Sequence, residues 1–146
     1  MNIRPVSSDD IAFLASFKAA FPDAWDENML KSAFRAGNFY GFIAEESVGE
    51  NDTPVGFITY SVNIDDADLQ DLFVTDSYRN RGVGSALINE FIAGAKDRGA
   101  RKLFLEVRES NLKAQRLYCA AGFKKISVRN KYYSDGENAF VYIKEL

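Results

Sequence analysis

The sequence LQDLFVTDSYRNRGVGS spans residues 69–85 and joins two different periodic patterns. The apolar residues that lead up to Val74 predict the end of a β-strand. After a polar segment, Gly82 and Gly84 precede apolar residues at helical spacing, and this pattern continues until Gly99. The stretch therefore predicts a strand, a glycine-containing turn and the N-terminus of a helix.

The two glycines suit a site that binds an anion. Gly82 and Gly84 let the main chain approach a ligand and point several N–H groups in one direction. The helix N-terminus adds a partial positive charge, and Arg79 and Arg81 add two full charges. The spacing predicts a pyrophosphate cradle that is neither a P-loop nor a dinucleotide fingerprint. A solvated helix entry with two surface arginines explains the same residues.

The rest of the chain alternates between strand and helix patterns. Five further strands are expected, over residues 3–6, 39–44, 55–62, 123–128 and 139–143. Strands 39–44 and 55–62 are separated by polar residues 45–53 and predict an antiparallel hairpin. Ser8 and Asp26 are expected to cap two early helices, and Ser110 or Asn111 a late one. With the strand that begins at Asp68, we expect one mixed α/β domain over residues 1–146.

Composition limits the chemistry of this domain. The chain has 146 residues, a net charge of −3 and one cysteine, and it has no histidine. These values argue against a nucleic-acid-coating protein, a disulfide framework and any site that needs imidazole. No apolar run approaches the roughly 20 residues that span a bilayer, and no signal-peptide core is seen. We expect a soluble, cytoplasmic domain without a metal.

Glu106 is an acidic residue within the apolar run 102–107. That run predicts a central strand covered on both faces. Because burial of an unpaired carboxylate is unfavourable, Glu106 is expected to face a cleft or a partner. The alternative is that the strand ends at Leu105, which leaves Glu106 simply exposed.

Tyr118 lies on the apolar face of the late helix, together with Ala114 and Leu117. A core tyrosine is the default interpretation of that position. Cys119 follows, but no histidine is present to activate it as a nucleophile. Cys119 is therefore expected to be a packing residue.

Together these features resemble the GCN5-related N-acetyltransferase (GNAT) superfamily. Residues 79–84 match its pyrophosphate signature, Gln/Arg-x-x-Gly-x-Gly/Ala. The text LEVRESN at 105–111, with LY at 117–118 and AGF at 121–123, is similar to the ribosomal-protein-alanine N-acetyltransferases within it. So are RNKYY at 129–133 and an aromatic-proline patch near Trp25.

The resemblance implies the GNAT fold, an α/β (α+β mixed) architecture. Its central sheet is mixed, mostly antiparallel and of about seven strands, with four helices and a parallel pair that splays apart at the cofactor site. The implied cofactor is acetyl-CoA, used as a co-substrate. The residues that would bind it are Leu72, Phe73, Val74, Arg79, Asn80, Arg81, Gly82, Val83, Gly84, Ser85 and Asn111.

The implied reaction is direct aminolysis of a thioester, without a covalent enzyme intermediate. Glu106 matches the family's proton acceptor and Tyr118 its proton donor, and a backbone N–H near Phe73 or Val74 would meet the developing oxyanion. An α-amine, with a pKa of about 7.7–8.0, needs only a modest base. A lysine amine needs about 3–4 kcal/mol more help at pH 7, so the site suits N-termini.

Trp25, Tyr132 and Tyr133 are expected to border the acceptor groove, where aromatic rings would hold an extended peptide. Packing within a hairpin explains the two tyrosines equally well. Phe73 stands where related enzymes often carry a small residue. Acidic residues collect on the same side and would attract a cationic peptide, a polyamine or an aminosugar: Glu45, Glu46, Asp65, Asp66, Asp68 and Asp71.

The expected function is acetyl-CoA-dependent acetylation of a protein's N-terminal α-amino group, in a ribosomal protein by resemblance. Two alternatives are an acetyltransferase for a small amine, such as a polyamine, aminosugar or amino acid, and a weakly catalytic acetyl-CoA-binding module. The presence of Glu106 and Tyr118 argues against the second. The expected partner is an acceptor protein N-terminus, with no direct nucleic acid and no membrane, and the protein is expected to be a monomer or weak homodimer.

Overall fold

The computed structural model describes residues 1–146, and its seven strands form one sheet in the order β1-β2-β3-β4-β5-β7-β6. The strands are β1 (Asn2–Pro5), β2 (Phe39–Val48), β3 (Asn51–Asn63), β4 (Asp66–Val74), β5 (Lys102–Arg108), β6 (Lys124–Arg129) and β7 (Ala139–Glu145). The α-helices are α1 (Ile11–Ser16), α2 (Glu27–Ala36), α3 (Val83–Asp97) and α4 (Leu112–Ala120). Three short 3-10 helices cover Ser8–Asp10, Phe17–Ala19 and Asp76–Tyr78. The element order expected from the sequence is confirmed.

The strands pair antiparallel everywhere except between β4 and β5, which run parallel. Only three residue pairs join these two strands, from Asp66–Lys102 to Asp68–Phe104. Beyond them, β4 continues to Val74 and β5 continues to Arg108 without pairing. The expected splayed parallel pair is therefore present, and it opens a cleft in the middle of the sheet.

Local signals set the ends of several helices. The Asp26 carboxylate accepts a hydrogen bond from the Met29 N–H (2.8 Å), so this predicted cap is confirmed. Of the two residues expected to cap α4, Asn111 and not Ser110 does so, because its side-chain oxygen accepts from the Ala114 N–H (3.2 Å). The first cap is one residue earlier than expected, because Ser7 and not Ser8 accepts from the next turn. Its partner Asp10 completes a capping box.

Two strand predictions are wrong in detail. Residues 45–53 are not a loop, because β2 and β3 extend through them to a tight turn at Gly49, where φ is +65°. Residues 47–53 are exposed at the ends of these strands, whereas Glu45 is buried. In β5, Leu103, Leu105 and Val107 are buried, but the residues between them are only partly buried. One face of β5 is thus core and the other faces the cleft.

Two apolar clusters hold the sheet. The larger contains buried residues of α3 and β5 together with Tyr118 of α4, and the smaller packs α1 and α2 against the sheet. Neighbouring residues of β2 show the division, since Ile43 belongs to the smaller cluster and Ala44 to the larger. No helix of the structure has the length and hydropathy needed to cross a membrane.

A β-bulge in β4 changes which residues share a face. The pairing of β3 with β4 passes from Tyr60–Leu69 to Thr59–Asp71, so Gln70 is an extra residue. In a regular strand, residues 68 and 71 point to opposite faces. The bulge brings the side chains of Asp68 and Asp71 to the same cleft, which they both line.

Candidate active site

The cleft between β4 and β5 has a volume of about 1400 Å³ and collects nearly all of the predicted site residues. Fifteen of the sixteen line it: Trp25, Leu72, Phe73, Val74, Arg79, Asn80, Gly82, Val83, Gly84, Ser85, Glu106, Asn111, Tyr118, Tyr132 and Tyr133. Arg81 is the exception. It does not line the cleft itself, and its guanidinium lies 5.1 Å from the centre of the ring of Tyr78, which does.

The start of α3 presents main-chain donors to the cleft. Asn80 and Gly82 both have left-handed backbone, with φ of +61° and +81°. The first helical hydrogen bond runs from the Ala86 N–H to the Gly82 carbonyl (3.0 Å), so the N–H groups of residues 83–85 have no acceptor in the protein. A Cβ atom at Gly82 would meet no atom within 4 Å, so the space beside this residue is open. These features fit a diphosphate.

Arg79 lies beside this helix start, but its guanidinium is partly engaged. It donates to the Val74 carbonyl (3.1 Å) and pairs with the exposed Asp76 carboxylate at 2.9 Å. An ion pair this exposed contributes little stability and is easily exchanged. Arg79 can therefore pair with another anion without a large loss.

Glu106 and Tyr118 reach the cleft from β5 and from α4, the helix that follows it. Glu106 lies within β5 on the partly buried face, and one of its carboxylate oxygens is 3.5 Å from an Arg129 nitrogen. The neighbouring Glu106 carboxylate raises the pKa of Tyr132, with burial of that ring as a second cause. Glu106 is therefore a member of the cleft and not an exposed residue after the strand.

Tyr118 is both a core residue and a cleft residue. Its exposed fraction is 6%, its ring packs edge-on near Phe123 (centroids 6.2 Å apart), and its hydroxyl makes no hydrogen bond to the protein. Burial raises the pKa of Tyr118 above its usual value, and Tyr133 and Asp71 raise it further. The hydroxyl thus keeps its proton at neutral pH and has a donor available for a bound molecule.

Aromatic rings form the wall of the cleft on the side of α1 and α2. Phe73 stacks against Phe17 and Phe21, with centroids 5.4 and 4.7 Å away. Trp25 stacks on Phe39 at 5.6 Å. A large side chain fits at position 73 because it packs against these rings. The sequence did not indicate this packing.

Tyr132 and Tyr133 form the facing wall, on the connection between β6 and β7. Their rings meet edge to face at 5.1 Å, and burial raises the pKa of Tyr133 to about 12. Both line the cleft, so they face its interior as well as packing within the connection. The acceptor residues expected from the sequence therefore stand on both sides of one opening.

Asp71 and Arg108 line the same cleft, and the sequence assigned neither of them an individual role. Asp71 accepts a hydrogen bond from the Trp25 N–H (3.3 Å). Burial raises the pKa of Asp71 to about 6, and the negative charge of Asp23 acts in the same direction. Nothing in the sequence marks the bulge that turns Asp71 into the cleft. No group of side chains in the structure has the composition of a metal site.

The model of the acetyltransferase (GNAT) family matches residues 11–123 of the chain. The chain belongs to the GNAT family. Members of this family use acetyl-CoA, whose diphosphate suits the unpaired N–H groups at the start of α3. The resemblance deduced from residues 79–84 is thereby confirmed.

Individual GNAT relatives are similar over most of the fold. A [ribosomal protein bS18]-alanine N-acetyltransferase of Haemophilus ducreyi is 36% identical over 96 residues, which are 63% of this chain and 66% of that protein. The crystal structure of the ribosomal-protein-S18-alanine N-acetyltransferase from Escherichia coli superposes with a TM-score of 0.84 at 28% identity, covering 99% of this chain and 92% of the other. Arabidopsis thaliana NAA60 in complex with acetyl-CoA shares the fold, with a TM-score of 0.89 at 19% identity over 99% and 98% of the chains.

Asp71→Asn is expected to stabilise the protein at neutral pH. Because the folded-state pKa of about 6 exceeds the ordinary value of 3.8, ionised Asp71 destabilises the fold. This penalty is absent below about pH 4, develops as the pH rises to 6 and reaches up to about 3 kcal/mol above it. We expect Tm to rise by roughly 3–8 °C at pH 7.5 and by much less at pH 4.

The measurement is thermal unfolding of both proteins across this pH range, with the exposed Asp97→Asn as a control. Asp97→Asn should leave Tm nearly unchanged at every pH. An equal gain from Asp71→Asn at pH 4 and pH 7.5 would show that ionisation of Asp71 is not the cause.

Proposed function

We propose that this protein is an acetyl-CoA-dependent N-acetyltransferase that acetylates the N-terminal α-amino group of a protein, by direct aminolysis. The observation that carries the proposal is that one cleft contains the unpaired N–H groups of α3 together with Glu106 and Tyr118. The relatives with the names of ribosomal-protein-alanine N-acetyltransferases support a ribosomal protein as the acceptor. Residues 1–146 would act as a single domain.

The N–H groups of residues 83–85 and the main chain around Asn80 and Gly82 would hold the diphosphate. Arg79 would release Asp76 and pair with the diphosphate instead. Asn111, which caps α4, would lie on the other side of the gap between β4 and β5. The main chain of Leu72, Phe73 and Val74 would bind the pantetheine arm along the free edge of β4. The bound molecule supplies an acetyl thioester.

The geometry of β4 favours Val74 over Phe73 as the donor for the developing oxyanion. The Thr75 N–H donates to the Val55 carbonyl across the ladder with β3 (2.8 Å). Because donors alternate between the two edges of a strand, the Val74 N–H points to the opposite edge, from which β5 has diverged. This N–H would donate to the thioester carbonyl oxygen as negative charge builds there.

Glu106 would accept the proton of the attacking amine, directly or through a water. An α-amine has a reference pKa of about 7.7–8.0, so a carboxylate is a sufficient base for it at neutral pH. Arg129 lies 3.5 Å from Glu106 and would help to orient this carboxylate. A lysine amine would need about 3–4 kcal/mol more help at pH 7, so the site favours an N-terminal amine.

Tyr118 would protonate the leaving sulfur. A thiol has a reference pKa of about 8.5 and a phenol of about 10, a difference that corresponds to roughly 2 kcal/mol. Burial raises the pKa of Tyr118, and the same apolar surroundings would raise the pKa of the thiol. The difference between the two pKa values would therefore stay small. The free hydroxyl of Tyr118 needs no rearrangement to donate.

Acceptor selection is expected to favour a peptide with a free N-terminal alanine. The aromatic walls at Trp25, Tyr132 and Tyr133 suit an extended main chain, and Asp68 and Asp71 suit its positive end. Incubation with acetyl-CoA and a peptide panel, followed by mass spectrometry, should place the added acetyl group on Nα. Spermidine and an aminoglycoside serve as comparison acceptors. Turnover of either small amine at an equal or higher kcat/KM, or modification at Nε, would contradict the proposal.

Tyr118→Phe is expected to reduce kcat by roughly 10²–10⁴-fold, because the leaving sulfur loses its proton donor. The Kd for acetyl-CoA, measured by titration calorimetry, should change little. Tyr142→Phe is a matched control, since Tyr142 is also buried but donates its hydroxyl to Gln115 (3.2 Å). If Tyr118→Phe turns over at nearly the wild-type rate, Tyr118 is not the proton donor and only packs in the core.

Glu106→Gln is expected to lower kcat/KM for a peptide acceptor most strongly at low pH. There the acceptor is mostly protonated, and a proton acceptor in the cleft matters most. The measurement is a pH profile between 6 and 9, with acetyl-CoA saturating. If kcat/KM decreases only slightly and by the same factor at every pH, Glu106 is not the base.

A further inference from the structure

Arg108 makes a four-part contact at the rim of the cleft. It is the last residue of β5, two positions after Glu106 and on the same face of the strand. Its guanidinium contacts Asp23, Asp135, Glu137 and the ring of Tyr133. Asp23 lies in residues 20–26, between the 3-10 helix Phe17–Ala19 and α2, a segment called here the α1–α2 connection. The other three residues lie in the β6–β7 connection, residues 130–138.

These contacts of Arg108 with the two connections, called here the bridge, have a specific geometry. The guanidinium binds Asp23 with two nitrogens, Nε to Oδ2 at 2.6 Å and Nη2 to Oδ1 at 3.0 Å. Nη1 donates to Asp135 at 2.8 Å and to Glu137 at 2.7 Å. The Tyr133 ring lies 4.1 Å below the guanidinium carbon. Arginine can make these contacts at once because its donors lie in one plane and point in different directions.

The bridge joins segments that are distant in sequence. Residues 23 and 108 are 85 positions apart, and residues 108 and 137 are 29 apart. The α1–α2 connection carries Trp25 and the β6–β7 connection carries Tyr132 and Tyr133, which are the two aromatic walls of the cleft. Arg108 therefore contacts both connections that carry the aromatic walls.

The contacts extend from the rim toward the start of α4. The second oxygen of Glu137 accepts a hydrogen bond from the Ser110 N–H (2.8 Å), next to the helix cap Asn111. These bonds from Ser110 and Arg108 lower the pKa of Glu137 to about 2, so this carboxylate stays ionised. The β6–β7 connection is thus fixed to the body of the protein on one side.

The link to Asp23 is more open to water than the link to Glu137. The Asp23 side chain is 41% exposed and Glu137 only 23%, while Asp135, on the same connection as Glu137, is 60% exposed. Asp23 holds two nitrogens of the guanidinium, so loss of this pair would also loosen the contacts of Arg108 with Asp135, Glu137 and the Tyr133 ring. The α1–α2 connection would then lose its link to Arg108, and the β6–β7 connection would lose part of its support.

We propose that Arg108 is a positioning residue that sets the width of the acceptor opening, by tying the α1–α2 connection to the β6–β7 connection through Asp23. This inference rests on the proposed function, because it assigns the opening to a peptide acceptor. When the link is closed, the walls at Trp25 and Tyr133 are held at the separation that an extended peptide needs. When it is open, the peptide loses that fit, while the diphosphate end of the cleft is unaffected.

The variant that tests the bridge is Asp23→Asn, which removes one partner and leaves Arg108 in place. We expect KM for the peptide acceptor to rise by roughly 3–10-fold, with KM for acetyl-CoA and kcat within about twofold of the wild type. Asp23→Glu, which restores the carboxylate, should recover part of the loss. Glu27→Gln is the matched control, because Glu27 is a nearby carboxylate that pairs with Lys31 and not with Arg108.

A second measurement does not depend on activity. Hydrogen exchange followed by mass spectrometry should show that Asp23→Asn increases exchange in residues 20–26 and also in residues 130–138. Glu27→Gln should change neither segment beyond its own helix turn. Faster exchange confined to residues 20–26, or an unchanged peptide KM in an enzyme that acetylates peptides normally, would refute the bridge.

The two measurements separate this inference from the proposed function. If the wild-type protein acetylates no peptide, the proposed function fails and the assignment of the opening to a peptide fails with it. Coupled exchange would in that case still establish the link between the two walls. If peptides are acetylated but exchange is uncoupled, the function stands and the bridge is wrong.

Discussion

The parting of β4 from β5 after three residue pairs is the constraint on which the rest of the structure depends. A strand edge inside a sheet normally gives its N–H and C=O groups to a neighbour, and an unpaired buried group is unfavourable. Here β5 diverges from β4, so residues 69–74 of β4 have an unpaired edge along an interior cleft. This free edge makes the middle of the sheet a binding site, since a bound molecule can complete the hydrogen bonds that β5 does not make.

The two ends of the cleft differ in charge because different elements build them. At one end, α3 begins with N–H groups that have no acceptor, and Arg79 lies beside them. At the other end, the bulge at Gln70 and the alternation of β5 bring Asp68, Asp71 and Glu106 to one face. An anion is favoured at the first end and an amine at the second, so the cleft orients two substrates by electrostatics as well as by shape.

The aromatic residues explain how a cleft of this size remains open in a small domain. Phe17, Phe21 and Phe73 stack on one another, and Trp25 stacks on Phe39, so each ring of the wall is supported by another ring. Rings supported in this way keep their place without filling the space in front of them. On the facing side, Tyr133 is held by the guanidinium of Arg108, which replaces ring stacking with a cation–π contact.

The sequence by itself determined the order of the elements, the cap at Asp26 and the glycine turn before α3, because each follows from local spacing. By resemblance to a family motif, it also named Glu106 and Tyr118 as the candidate catalytic pair. It left the position of Glu106 and Tyr118 open, since an acid at a strand end and a tyrosine on a helix face each fit two environments. Only the tertiary structure decided that both line one cleft, that Gln70 bulges, that Arg81 does not line the cleft and that Arg108 joins two distant segments. These features depend on strand register and on contacts between residues as many as 85 positions apart, which no local pattern encodes.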